Sequence, residues 1–296
     1  MRASPVFATM LKYTFLEGIT LQKKGKVSIP LPDDDPLPFA VLMDIVHARN
    51  RRDRVPRQVD LSFLTRLAIL VDKYQLEAAV QPFANEWFEG LRMEIPHSLT
   101  PDLNHWLCVS WVFRRPEEFN HVTRIAERES NGMDLDCYSR ELKEDLPIPQ
   151  RVMEEIARRR ETAIRRSYEV LERNIDMLQS GSPRCTSTRH EPHRFTCDAV
   201  LLGSLLESSS KLGIWPPPEA PYLEVTFKTL MVDINQINLV SFCTKMGYTN
   251  QSSNSHGMKT EIGSCLGKIR NRLSGLNLKD FETRMGRSDR TLRDRW

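Results

Sequence analysis

The sequence predicts an α+β fold that is mostly α. Apolar residues recur at three- and four-residue steps along most of the chain, and one short run alternates at period two. From about residue 93 the texture changes to helical runs joined by polar loops. With 296 residues the chain has room for one large domain or two of ordinary size.

Taken in order, Val6, Phe7, Met10, Leu11 and Phe15 give helical spacing over 5–16. In "GKVSIPL", Val27, Ile29 and Leu31 share one side at period two, which predicts a short strand at 26–31. Pro30 would set it at a sheet edge or a strand end. "PDDDP" then offers Asp35 as an N-cap, with Pro36 in the first helical position. The helix that follows, "PLPFAVLMDIVHAR", carries Phe39, Leu42, Met43 and Val46 on one face. An arginine-rich loop comes next, with Arg49, Arg51, Arg52, Arg54 and Arg57. Two further helices fit "LSFLTRLAILVDKYQ" and "LEAAVQPFANEWFEGL".

Beyond residue 93, "WLCVSWVFRRPEEFNHVTRIAERES" reads as two helices broken near Pro116. "LPIPQ" is a stiff entry into a long helix running to about Gly181. Within it Ile164, Tyr168, Leu171, Ile175 and Leu178 step by four and three, a seam suited to packing within the domain. A loop at 181–197, a helix at about 198–212, the link "WPPPEAPY", a helix at about 224–246 and a last helix at 257–274 complete the chain. The arginines at 158–160 and 165–166 alternate with Glu154, Glu155, Glu161 and Glu169, a pattern that supports an exposed helix.

Composition narrows the function classes. The chain is 40% hydrophobic and 27% charged, as globular proteins are. Its formal charge of +3 is far from the dense basic character of a dedicated nucleic-acid binder. No apolar run approaches the roughly 20 residues of a membrane span, and no apolar signal core opens the chain. The expected location is therefore intracellular, cytoplasm or nucleus, with the six cysteines as thiols or metal ligands.

Residues 185–197 read "CTSTRHEPHRFTC" and bring Cys185, His190, His193 and Cys197 together. Thiolate and imidazole are zinc ligands, and four of them close a structural site. All four in one short loop would be cramped. An arrangement in which Cys185 and Cys197 meet ligands near His256, or Cys265, is more attractive. The candidate metal set is thus Cys185, Cys197, His193 and His256, holding a structural zinc ion. The other reading is ordinary loop histidines and semi-buried thiols. No nucleophile elbow, phosphate loop, H-E-x-x-H or dinucleotide fingerprint is present, so no enzyme activity is expected. A basic stretch at 284–296, with Arg284, Arg287, Arg290, Arg293 and Arg295, reads as a fraying tail.

Taken together, "SPVF", "FLEG", "IPLPDDDPLPF", "DIVHAR", "LAILVDKYQ" and "FANEWFEGL" resemble the BTB/POZ domain, and more narrowly its version in a large group of filamentous-fungal proteins. The resemblance implies a partial BTB/POZ-like domain at 1–92, followed by an all-helical region at 93–296. It also implies that Ser4-x-x-Phe7 closes a first helix; either the start of that helix, with an opening β-hairpin, lies upstream of Met1, or the domain has lost part of its sheet, and the first is favoured. A lone strand at 26–31 would otherwise leave its backbone groups unpaired. "LPIP", "CDAVLLGSLLESS", "LGIWPPPEAPYLEVTF" and "LSGLNLKDF" resemble later landmarks of the same group, in which a Cys tends to stand at the place of His256.

What the resemblance implies is a protein-interaction module, an adaptor or scaffold whose partners are other proteins. Those include a second copy of itself or a cullin-type ubiquitin ligase, for which it would serve as substrate adaptor. Phe7, Phe39, Val46 and Leu64 are the candidate interaction residues from amphipathic pattern, against the alternative that most of them are core. A competing reading is a transcriptional regulator with a structural zinc site and arginine-rich segments touching nucleic acid, the less favoured partner.

Overall fold

A computed structural model describes residues 4–49, 53–132, 146–181, 183–185, 191–247 and 255–282. Among them every regular element is a helix. In chain order these are α1 (Pro5–Met10), α2 (Leu16–Lys24), α3 (Pro36–Val46), α4 (Leu61–Tyr74), α5 (Glu77–Leu91), α6 (Leu103–Val112) and α7 (Pro116–Glu129). After them come α8 (Gln150–Gln179), α9 (Glu191–Lys211), α10 (Phe227–Gln236), α11 (Phe242–Lys245), α12 (Met258–Arg272) and α13 (Lys279–Glu282).

Two compact units emerge. One takes in the described residues up to Thr123, with 146–152 and 276–282; the other takes in 124–132 and those from 153 to 275. The boundary expected near residue 92 is not where the chain divides. The reason is packing: α6 lies on α4, and Trp106 meets the ring of Phe88 edge-on at 6.3 Å, so the apolar residues beyond 92 complete the first core.

In the first unit, caps set where helices begin. Asp35 accepts the Leu37 N–H at 3.0 Å to start α3 on Pro36, and Asp60 accepts the Phe63 N–H at 2.7 Å to start α4. Ser4 likewise opens a helix rather than closing one. Its Oγ accepts the Phe7 N–H at 3.1 Å while donating to the Tyr74 carbonyl at 2.7 Å. The 5–16 helix is split into α1 and the start of α2, and Gly18 explains the corner. A Cβ there would stand 1.9 Å from the Lys12 carbonyl oxygen, so only glycine lets the two segments approach this closely.

The strand expected at 26–31 is not formed; these residues are coil. Val27, Ile29 and Leu31 are half-buried, but no partner strand exists among the described residues, and Pro30 has no N–H to offer one. The interaction candidates also fall differently. Leu64 is fully buried core. Phe7 stacks on the Tyr74 ring at 4.5 Å, Phe39 meets the same ring edge-on at 5.8 Å, and Val46 is half-buried. Phe7 and Phe39 thus spend their rings on Tyr74.

In the second unit the seam of α8 behaves as its spacing predicts. Ile164, Tyr168, Leu171 and Ile175 are buried, with Leu178 packed at the edge, among side chains of α9, α10 and α12. The helix expected at 224–246 is two helices, α10 and α11. The break at 237–241 lets Ser204 on α9 accept the Val240 N–H at 3.0 Å, and Ser241 caps α11. No helix among the described residues is long and apolar enough to cross a membrane.

Candidate metal centre

Four short segments of the second unit converge on one point. The extended stretch 183–185 brings Cys185, the first half of α9 brings Cys197, the first turn of α11 brings Cys243, and the turn before α12 brings His256. Their ligand atoms, three Sγ and one imidazole nitrogen, all lie within 4.8 Å of one another. Cys243 Sγ is 3.6 Å from Cys185 Sγ and 3.6 Å from Cys197 Sγ, and Cys197 Sγ is 3.1 Å from His256 Nε2.

Each ligand is held by its own local device. Asp198, next to Cys197 on α9, accepts the Arg184 N–H at 2.8 Å and the Cys185 N–H at 3.1 Å, which fixes the extended stretch against the helix. Arg184 reaches across to Glu261 in the first turn of α12 at 2.6 Å. Ser241 accepts the Thr244 N–H and so starts α11 immediately before Cys243. His256 sits at φ 48°, the left-handed region that histidine tolerates better than bulkier residues, and Gly257 follows at φ 81°. These two left-handed residues turn the chain into α12.

The electrostatics suit a cation. Burial, with hydrogen bonding to the neighbouring thiols of Cys197 and Cys185, pushes the Cys243 thiol up to about 12. Three thiols this close in apolar surroundings cannot ionise together unaided, whereas a bound metal deprotonates its coordinating thiols outright. Burial lowers the His256 pKa, which leaves the imidazole neutral at pH 7, the state that binds metal. Zinc–sulfur arms of about 2.3 Å at tetrahedral angles place sulfurs about 3.8 Å apart, close to the 3.6 Å seen here. Cys185, Cys197, Cys243 and His256 can therefore hold a metal ion.

Three of the four residues expected from sequence fall in this cluster: Cys185, Cys197 and His256. His193 takes another place. Its Nε2 is 3.1 Å from Cys243 Sγ, and its ring meets Phe242 at 5.4 Å, so it adjoins the cluster at Cys243. Cys243 was not legible as a ligand. Cys265, weighed as one, packs instead against the apolar core of the unit. His190 and the basic stretch 284–296 lie outside the described residues. The arginine loop is tied to acids where it is described: Arg49 and Arg54 to Asp44, and Arg57 to Glu86 at 2.5 Å. The chain matches no protein-family model, and no curated protein or solved structure is significantly similar to it.

Proposed function

We propose that the protein is an interaction module, a BTB/POZ-type adaptor or scaffold whose second unit is fastened by a structural zinc ion on Cys185, Cys197, Cys243 and His256. One observation supports the metal's structural role. The three thiols are buried and the fourth ligand is half-buried, so four protein donors fill a tetrahedron and leave no face for substrate. Such an ion would tie four segments distant in sequence into one unit.

The interaction role rests on apolar side chains left in water near the start of the first unit. Tyr13 is 76% and Leu16 75% exposed, with Phe15, Ile19 and Leu37 also exposed. Grouped exposed apolar residues mark contact sites more often than chance scatter does. The described arginines of the 49–57 loop, by contrast, are paired with carboxylates.

Two measurements test the proposal. Metal analysis of the purified chain should give about one zinc per chain, falling towards zero in Cys185→Ser and Cys197→Ser. Light-scattering mass against concentration, and titration with a purified cullin amino-terminal domain, should reveal self-association or complex formation that Leu16→Asp weakens. A monomer that ignores the cullin domain would end the adaptor reading, and zinc content near zero would end the metal reading.

A further inference from the structure

Between α8 and α12, within the second unit, lies a cavity of about 340 Å³. Four arginines line it: Arg158, Arg159, Arg166 and Arg272. Its floor is apolar, made by Ala163, Ile269 and Leu273, and Thr162 adds a hydroxyl. No carboxylate is among the lining residues. The volume is at the lower end of what small-molecule sites enclose, about 300–1,000 Å³.

The alternating charges of α8 account for only part of this basic group. Glu155 takes Arg158 through two bonds of 2.7 Å and Arg159 through one of 2.7 Å, and those guanidinium groups hold its carboxyl down at about 2. Arg159 also reaches Glu127 at 3.3 Å. Arg165, on the next turn, is paired outward with Glu169 at 3.2 Å. Arg166 and Arg272 have no such acid: among the described residues neither makes an ion pair.

Arg166 from α8 and Arg272 from α12 thus border the same hollow without an acid of their own. Like charges within reach of each other destabilise the empty state, and an anion relieves that repulsion. Guanidinium forks match phosphate oxygens bidentately, better than they match a spherical ion. The spacing on α8 helps, because Arg159, Thr162, Ala163 and Arg166 fall on one face. We infer that this cavity binds a small organic molecule bearing phosphate groups, with Arg166 and Arg272 as the principal phosphate ligands and Ile269 and Leu273 against its body. The inference stands apart from the metal centre and the adaptor role.

The test is calorimetric titration of the full chain with inorganic pyrophosphate and with inositol hexakisphosphate. A parallel arm uses phosphatidylcholine vesicles with and without phosphatidylinositol bisphosphate, to separate a soluble ligand from a lipid headgroup. One site per chain is expected for a phosphate-bearing probe, with affinity that falls as salt is added. Charge-assisted hydrogen bonds are worth about 1.5–3 kcal/mol each. Arg166→Gln or Arg272→Gln should therefore weaken binding by about tenfold or more, and the double variant should abolish it. Arg165→Gln, which alters an equally charged residue facing away, should leave it unchanged. Arg272 is exposed, so the single Arg272→Gln variant keeps the test valid if the double variant folds poorly. Absence of binding by every probe, or equal loss in Arg165→Gln, overturns the inference.

Discussion

Replacing Arg160 by alanine should release the proline-rich link at 214–226 from the second unit. The side chain is 3% exposed and aims its guanidinium at five backbone carbonyls. Nε donates to Ser130 O at 2.8 Å and Nη1 to Pro221 O at 3.2 Å. Nη2 serves Asn131 O at 2.8 Å, Tyr222 O at 2.5 Å and Val225 O at 2.7 Å. The link needs such a clamp, because Tyr222 and Glu224 are held at φ 57° and 68° without being glycine. Gly132 makes room for it: a Cβ there would stand 3.0 Å from Arg160 Nη1.

The cost can be worked from burial. Only the bonds to Ser130 and Tyr222 are fully buried; the other three carbonyls lie where water can replace the guanidinium. A buried carbonyl left unpaired costs about 1–3 kcal/mol, so two of them cost about 2–6 and centre near 4. At about 1.4 kcal/mol per tenfold, that is roughly three decades of opening equilibrium. Hydrogen exchange read by mass spectrometry on peptides covering 214–226 measures this opening directly, without requiring both units to unfold together. Arg160→Lys should recover only part of the loss, since an ammonium has three donors and no fork. Protection at 214–226 that changes by less than threefold in Arg160→Ala would refute the clamp.

Other perturbations carry equally definite outcomes. Cys243→Ser should lose bound zinc and lower the melting temperature of the second unit, whereas Cys265→Ser should retain full metal content; inductively coupled plasma analysis and thermal melts distinguish them. Gly18→Val should cost about 1–3 kcal/mol by forcing α2 off the Lys12 carbonyl, seen as a lower denaturation midpoint. Glu127 is buried, and burial raises its pKa above 4.5 despite the Gly275 N–H and Arg159. The folded state therefore takes up its proton at higher pH than the unfolded state. Stability from this group is fully present below about pH 4.5 and is lost as pH rises through the folded value. Wild type should accordingly gain on Glu127→Gln as pH falls from 7 to 4, in urea midpoints taken across that range.

What the sequence discloses follows from how far each signal reaches. Asp35 and Pro36 mark the start of α3 because a cap acts within three residues, and the α8 seam was legible because Ile164 to Ile175 repeats over several turns. The strand at 26–31 failed for want of range: three alternating residues look the same in a strand and in an extended coil, and only a partner strand tells them apart. The break at 237–241 carries neither glycine nor proline, so apolar spacing ran straight through it. That single misreading hid Cys243. Inside one long helix its thiol reads as core filling. At the first turn of a new helix capped by Ser241 it is presented at an end, where a ligand belongs. The chain did hold a second clue, since Cys185 and Cys197 are 12 apart and Cys243 and His256 are 13 apart. Two pairs of similar span suit two chain segments that converge on one point, and the missing fourth residue stood 13 places before His256.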